Sequence, residues 1–395
     1  MKTYKYRLYP TKSQAEKLTS TLESCRVLYN CALEQRKTTY KQFKISLDYY
    51  IQADELKEIK KYFSEYKQVY SQVLQNVLIR LNNAFDNFFD RLHKGEKPGY
   101  PRFKGRGWYD SFTYPQSGFS LSENKKGNQR LKLSKIGNIK VKLHRAIKGV
   151  IKTCTIKREL NSWYVCFSCE VEPELLPKTY QDVGIDVGIE KFAALSNGTL
   201  IQNPKFLRKS ETKLKYEQRK LSRKKKGSNS RKKQKHKLAK IHCKVKNQRN
   251  DFLHKESYKL VNNYDVIVFE DLRIKNMVKN HHFAKSISDA SWSRFIEYVS
   301  YKAESAGKKI VFVNPRNTSQ ICSGCSMIVK KSLSVRVHKC PSCGLEIDRD
   351  INAAINILRA GTAPGGATAL AGRRSQKPST LVEGGSLDFH FNQVF

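Results

Sequence analysis

The chain is short of acid: 35 Asp plus Glu face 75 Lys plus Arg, a formal net charge of +40 over 395 residues. Such a surplus repels itself unless a polyanion lies against it in use, so nucleic acid is the natural partner. No apolar run reaches the roughly 18 residues of a membrane-spanning helix. No basic-then-apolar signal segment follows Met1, so the chain reads as soluble and intracellular, with no membrane partner. A disulfide framework is missing too. Of ten cysteines, Cys322, Cys325, Cys340 and Cys343 fall in two C-x-x-C pairs, which is metal spacing and points to a reducing compartment. Cys25, Cys31, Cys154 and Cys243 are scattered and read as small core or surface residues. Cys166 and Cys169 form another C-x-x-C inside Trp163–Cys169, a strand pattern that puts the two thiols on opposite faces.

What is present is ample for folding: 39% hydrophobic residues in a chain whose length suits about two or three domains. Residues 2–9 alternate basic with aromatic or apolar side chains up to Pro10 and predict a strand. Thr11 or Ser13 caps a helix carrying Leu18, Leu22, Cys25, Tyr29 and Ala32 on one face. Val73, Val77, Leu81, Phe85, Phe88, Phe89 and Leu92 mark another. From Lys94 to Pro173 short alternating runs are broken by Gly and Pro, an all-β pattern. A strand before the helices and more strands after them suggest a small β-barrel of residues 1–10 and 94–178, with a helical insertion, 11–93, in its first connection. Within it, Arg102, Lys104 and Arg106 mingle with Tyr100, Phe103, Trp108, Tyr109 and Phe112. That mixture suits phosphate contact plus base stacking, and equally an ordinary basic loop docked by aromatics.

At Asp182 the character changes. Val183–Ile189 is an apolar run interrupted by Asp186, and Phe192–Ile201 is a hairpin about an Asn197-Gly198 turn. Val266–Phe269 is a second buried strand, ending in Glu270. Lys309–Val313 is a third, following a helix with Trp292, Phe295, Ile296, Val299 and Ala303, so these strands pair in parallel. Residues 205–249 hold 20 Lys or Arg and two acidic residues, divided by Gly227-Ser228-Asn229-Ser230. Leu207, Leu214, Leu221, Leu238, Ile241 and Val245 give this run an apolar stripe. It therefore predicts a packed helical hairpin with a basic face for nucleic-acid backbone, with Lys224, Lys225, Lys232 and Lys233 as candidate contacts. Residues 361–395 lack periodicity and read as a disordered tail.

Two constellations carry chemistry. Cys322-x-x-Cys325 and Cys340-x-x-Cys343, fourteen residues apart, form knuckles that bend through Gly or Ser, the ligand set of one structural Zn2+. An iron centre of similar ligand type is the competing reading. Lys330, Lys331, Arg336, His338 and Lys339 between the knuckles mark the module for DNA or RNA, against a ribbon that serves a protein interface. The other constellation is Asp186, Glu270 and Asp348-Arg349-Asp350, which precedes an Ile351–Leu358 helix. Two carboxylates on parallel strands and one at a helix start can converge, and would then repel one another without a cation. Oxygen-only ligation suits Mg2+ or Mn2+, and a pair of such ions can align a water on a phosphodiester and stabilise its leaving oxygen. A strand Asp serving only as a structural cap is the plain alternative.

The ordered set Gly-Ile-Asp186-Val-Gly-Ile, Ile-Val-Phe-Glu270-Asp-Leu, Thr318-Ser-Gln-x-Cys-x-x-Cys, Cys-x-x-Cys-Gly and Asp348-Arg-Asp-Ile-Asn-Ala-Ala-Ile-Asn-Ile resembles the TnpB family of transposon-encoded proteins. Tyr6-Arg-Leu-Tyr-Pro-Thr, Ser71-Gln-Val-Leu-Gln75 and Pro98-Gly-Tyr-Pro-Arg-Phe-Lys extend the likeness over residues 1–360. The resemblance implies an RNA-guided DNA endonuclease, with guide RNA, double-stranded target DNA and the transposase of the same element as partners, in prokaryotic cytoplasm or nucleoid. It implies an α/β multidomain fold: a RuvC-like nuclease domain of RNase H fold, 179–313 and 344–360, including a basic hairpin, 205–260. A zinc-ribbon insertion, 314–343, would bind target nucleic acid, and the barrel with its helices would be the wedge and recognition parts. Asp186, Glu270 and Asp350 would be the catalytic carboxylates, with Asp348 as the alternative third. Arg336 would contact the scissile phosphate, and Gln75 or its neighbours would read a motif flanking the target. A guided or helix-turn-helix repressor without cleavage, and a transposase, are the rival readings.

Overall fold

The computed structural model describes residues 1–123, 127, 129–332, 334–363 and 368–369. Leu333 and the expected tail from residue 364 onward, the Thr368–Ala369 backbone aside, lie outside the described residues. The chain divides between Glu172 and Pro173 into two units.

The first unit begins with β1 (Lys2–Tyr9), followed by α1 (Lys12–Phe43), α2 (Tyr49–Tyr62), α3 (Ser64–Lys67) and α4 (Ser71–His93). Six strands follow: β2 (Ser111–Tyr114), β3 (Phe119–Glu123), β4 (Gln129–Leu133), β5 (Gly137–Lys142), β6 (Val150–Glu159) and β7 (Ser162–Glu170). Pro10 cannot extend the strand, and Thr11 starts α1 through a reciprocal cap: its hydroxyl accepts from Gln14 N at 3.3 Å, and its N–H donates to Gln14 Oε1 at 3.0 Å. The sheet order is β2-β6-β7-β1-β5-β4-β3. The Tyr114 hydroxyl of β2 donates to the Ser134 carbonyl, in the β4–β5 turn, at 2.9 Å, which shows the sheet curling back on itself. It curls without closing. Among the described residues β2 and β3 do not pair, so the expected closed barrel is a curled sheet, its ends joined by side chains instead of a ladder. Tyr6, Phe112, Tyr114 and Phe167 from the strands share one core with Leu18, Leu33, Leu74 and Leu81 from the helices. The apolar stripe of α4 stays buried only as far as Leu81, and Phe89 and Leu92 are exposed, because the helix outruns the core it packs on.

The second unit carries β8 (Asp182–Val187), β9 (Lys191–Leu195), β10 (Leu200–Gln202), α5 (Phe206–Ser222), α6 (Asn229–Asn263), β11 (Val266–Glu270), α7 (Ile274–Met277), α8 (His281–Ala290) and α9 (Trp292–Ala306). Then come β12 (Lys309–Val313), β13 (Val337–Lys339), β14 (Glu346–Asp348), α10 (Arg349–Thr362) and the short β15 (Thr368–Ala369). The sheet order is β10-β9-β8-β11-β12-β15, with β8, β11 and β12 mutually parallel. Ile185, Ile267, Phe269 and Phe312 bury one face against Leu253 and Leu260 of α6 and Phe295 and Val299 of α9. Val268, Val311 and Val313 on the other face receive Ile357 of α10. The helices α5 and α6 pack as a hairpin through Leu214, Leu221 and Leu238. Arg231 closes the C-terminus of α5 by donating to the carbonyls of Leu221 at 2.7 Å and Lys224 at 2.9 Å. The second helix of the hairpin ends close to the expected bound at 260: α6 runs for 35 residues to Asn263, so the helix that begins in the basic hairpin ends as cover for the sheet.

The seat of α10 is tight because Gly184 permits it. A Cβ at Gly184 would lie 2.2 Å from the Ala354 carbonyl oxygen and 2.5 Å from Leu358 N. At the far end Gly361 meets Val268 in the same way, so α10 continues through Thr362 and the expected tail cannot begin at Gly361. Gly184→Ala should therefore lower the unfolding free energy by about 1–3 kcal/mol. Chemical denaturation reads this directly; an unchanged midpoint would mean that α10 has room to slide.

Candidate metal centres

The four thiols form the first centre. Cys322 Sγ lies 3.6 Å from Cys343 Sγ, and Cys325 Sγ lies 3.5 Å from Cys340 Sγ. All four sulfurs fall within 4.8 Å of one another. Zn–S bonds of about 2.3 Å give a tetrahedron with edges of roughly 3.8 Å, so this donor set fits one zinc ion. Each knuckle is folded by its own backbone. Cys322 N donates to Met327 O at 2.8 Å, and Cys340 N donates to Leu345 O at 2.9 Å. Gly324 keeps the first knuckle uncrowded, since a Cβ there would sit 3.1 Å from Cys343 Sγ. The backbone N–H groups of Cys343 and Ser342 hold the Cys340 thiol down to about 6, which prepares it as a thiolate.

The carboxylates approach by register and packing. Ile185 lies opposite Phe269 across the parallel β8–β11 pair. The next residue of each strand, Asp186 and Glu270, therefore turns to the other face, the one that α10 covers. Asp350 is the second residue of α10. Burial raises the Asp186 carboxyl well above its ordinary range, and repulsion from Glu270 and Asp350 adds to the rise, while Arg349 opposes it. Burial also raises Glu270, against a lowering hydrogen bond from the Thr318 hydroxyl. Among the described residues the four cysteines meet the 4.8 Å ligand spacing and the three carboxylates do not. The carboxylates thus stand at wider spacing than the thiols, near enough for Glu270 and Asp350 to act on Asp186. Arg349 donates to Asp350 Oδ1 at 2.8 and 3.1 Å, and Arg336 Nη1 lies 4.0 Å from Oδ2. An oxygen-only set carrying such repulsion suits a hard divalent cation.

Asp348 caps the helix. Its Oδ1 accepts from Asp350 N at 2.8 Å and Ile351 N at 3.2 Å, which makes it the N-cap of α10. Arg336 reaches the carboxylate space from the zinc module, its Nη2 paired to Glu190 Oε2 at 2.9 Å. Sequence reasoning assigned no role to Thr318, Asn352, Asn356, Arg349 or Glu190. A signal for the two asparagines was available: polar residues at i and i+4 on the apolar side of a helix must find buried partners.

The nucleic-acid candidates are spread over both units. In the first, Gln75 is exposed on α4, and Arg102 and Arg106 are exposed in the loop before β2. Lys104 is the loop's anchor: its carbonyl accepts from Arg26 at 3.1 Å and Asn30 at 3.0 Å, and its N–H donates to Asn30 Oδ1 at 2.8 Å. Tyr109 and Phe112 belong to the core and cannot stack on bases, whereas Phe103 and Trp108 are open to solvent. In the second unit Lys225, Lys232 and Lys233 are exposed at the α5–α6 turn, while Lys224 Nζ is held by Ser230 Oγ at 2.7 Å. In the zinc module Lys330 and Lys339 are exposed, and Lys331 turns inward onto the buried His338.

Cys340→Ser should leave less than one zinc per chain by elemental analysis and lower the melting temperature; full zinc and an unchanged melt would remove the four-thiolate site. The raised Asp186 carboxyl has a definite sign for stability. Its contribution is fully present below the unfolded value, about 4, and is lost as pH rises through the raised folded value. Without divalent ions, Asp186→Asn should therefore melt higher than the parent at neutral pH, with the gap closing as the solution is acidified. A gap that widens in acid would contradict the raised carboxyl.

A family model described as "Probable transposase" matches residues 166–281, one described as "Cas12f1-like, TNB domain" matches 292–357, and one described as "Helix-turn-helix domain" matches 1–44. The last stretch holds β1 and one unbroken helix of 32 residues. The chain is 36% identical over 378 residues to a "Putative RNA-guided DNA endonuclease" of Streptomyces pristinaespiralis, covering 92% of this chain and 90% of that one. It is 32% identical over 384 residues to "Putative RNA-guided DNA endonuclease InsQ" of Escherichia coli K12, covering 92% and 93%. Among solved structures, that of the mini-RNA-guided endonuclease CRISPR-Cas_phi3 superposes with a TM-score of 0.52 at 10% identity, covering 91% of this chain and 92% of that one, a likeness of fold. On these matches over nearly its whole length, the chain belongs to the TnpB family.

Proposed function

We propose that this chain is an RNA-guided DNA endonuclease of a transposable element, hydrolysing target DNA beside a short flanking motif at a RuvC-like site of Asp186, Glu270 and Asp350. The observation that carries the reading is the convergence of three carboxylates, one from each of β8, β11 and α10, on one face of the sheet. The order β10-β9-β8-β11-β12, with the carboxylates on the central parallel pair, supports an RNase H-like core. The names of the two relatives supply the substrate class and the guide. Base pairing between guide RNA and target strand would carry sequence specificity, leaving the protein to read the flank and the shape of the heteroduplex.

Magnesium or manganese held by the three carboxylates would polarise the scissile phosphate and lower the pKa of an attacking water. The chain's own residues do the rest. Asp186 and Glu270 hold their positions through the strand register, and Asp350 through the cap that Asp348 provides. Arg336, 4.0 Å from Asp350, would neutralise charge gathering on a phosphate, and Thr318 fixes one oxygen of Glu270. Zinc in the four-thiolate site would hold the knuckles in shape, presenting Lys330, Arg336 and Lys339 to backbone phosphates. The element's own transposase is the further protein partner this reading calls for, and the prokaryotic cytoplasm its location.

A helix-turn-helix repressor fits less well, since residues 1–44 form a strand and a single helix. A transposase sharing the same carboxylates would need no guide, so the test turns on the guide. Protein coexpressed with RNA from its own locus is given Mg2+ and plasmids that carry a guide-matched target beside a randomised flank. Cutting should require the guide and select a flank, and Asp186→Ala should slow it on the order of a thousandfold, about 4 kcal/mol, while target binding persists. Guide-dependent binding without cutting would instead favour a repressor, and guide-independent strand joining a transposase.

A further inference from the structure

We propose that the first zinc knuckle is a working part of the carboxylate site, and that Thr318, Asn352 and Asn356 are positioning residues through which the zinc site raises divalent-ion affinity at Asp186, Glu270 and Asp350. The proposal rests on the reading of those carboxylates as an ion site.

Two of the three carboxylates are held by groups that the knuckle also holds. On one route, the Asn352 carboxamide grips the knuckle from both sides. Its Nδ2 donates to Ile321 O at 2.8 Å, and its Oδ1 accepts from Ser323 N at 2.9 Å. These two residues flank the ligand Cys322, and Asn352 lies two residues beyond Asp350 on α10. On the other route, Asn356 Nδ2 donates to Ile321 O at 2.7 Å and to Thr318 O at 2.9 Å. The Thr318 hydroxyl donates in turn to Glu270 Oε1. A single oxygen of Glu270 is thereby fixed, which orients the carboxylate while the other oxygen stays available to an ion.

The asparagines are 0% and 8% exposed, so their carboxamides have no water to fall back on. All four of these hydrogen bonds run to the knuckle and the turn before it. If the knuckle loosens, two buried amides lose their partners, which is costly away from water. The chain relieves that cost only by letting α10 and the Thr318 turn move with the knuckle. Moving them displaces Asp350 and releases Glu270. Because coupling between two binding sites is reciprocal, zinc in the thiolates and a divalent ion at the carboxylates favour each other.

The test measures Mn2+ binding to the full chain with its copurified RNA by electron paramagnetic resonance, with the Asp186→Ala protein supplying the background from RNA and other sites. Thr318→Val should weaken the Asp186-dependent site about tenfold or more, the effect usual for a lost partner of a ligand, with zinc content unchanged. Thr318→Ser, which keeps the hydroxyl, should restore it. Asn356→Ala and Cys340→Ser should weaken the same site. Equal Mn2+ affinity in the parent and in Thr318→Val would overturn the proposal, as would unaltered affinity in a folded Cys340→Ser protein lacking zinc. No Asp186-dependent Mn2+ binding in the parent would instead remove the carboxylate reading, and the proposal with it.

Discussion

Carboxylates gathered at the covered face of a sheet repel one another, and the second unit is built to make that repulsion tolerable. The gathering is compulsory once the sheet forms, because the β8–β11 register fixes Asp186 and Glu270 on one face and Gly184 lets α10 settle against it. What can vary is the compensation. The N-terminal end of α10 offers its positive dipole to Asp350, Arg349 lies on the same carboxylate, and Arg336 arrives from the zinc module. Even so, Asp186 stays raised well above its ordinary value. Burial is the larger cause of that rise and repulsion from Glu270 and Asp350 the smaller, so the charged form of Asp186 is disfavoured as the chain stands, and a divalent cation, in the proposed reading, would relieve both.

The parts of this arrangement that were legible in the sequence are those governed by short-range rules. Pro10 and Thr11 mark the end of a strand and the start of a helix within two residues, and a reciprocal cap is found there. The apolar runs around Asp186 and before Glu270 announce buried parallel strands, and Asn197-Gly198 announces a hairpin. The four cysteines declare themselves by spacing alone. Less legible was anything decided by distant partners. Tyr109 and Phe112 look like base-stacking aromatics beside three basic residues, yet they fill the first unit's core because α1 and the strands close over them. Closure of the curled sheet depends on whether β2 and β3 meet, which no local pattern encodes. The roles of Asn352 and Asn356 depend on a knuckle some thirty residues earlier, as their partners Ile321 and Ser323 show.

The basic hairpin has its own physical logic. Twenty Lys or Arg in residues 205–249 destabilise any packed arrangement of that segment by mutual repulsion. A hairpin of two independent helices, held only by Leu214, Leu221 and Leu238, would have little to set against it. Continuity of α6 supplies the remedy, since its C-terminal half buries Leu253, Leu260 and Val261 on the sheet. The anchored half gives the basic half a formed helix to continue, so the basic half need not nucleate on its own. The basic face is thereby presented in a fixed orientation to the sheet, which a flexible charged tail could not achieve.

Asp348 shows how close the structural and chemical uses of a carboxylate lie. Asp348 and Asp350 differ by one intervening residue, yet helix geometry divides them. A residue before the first turn has extended backbone and aims its side chain at the free N–H groups, whereas a residue inside the turn projects outward from the axis. The cap occupies Oδ1 of Asp348, and by satisfying Asp350 N and Ile351 N it holds the start of α10 in place. The carboxylate that opens the helix thereby sets where the next one stands. In the proposed reading the first carboxylate of Asp-Arg-Asp serves the site through the helix it caps, and the second serves it from inside the first turn.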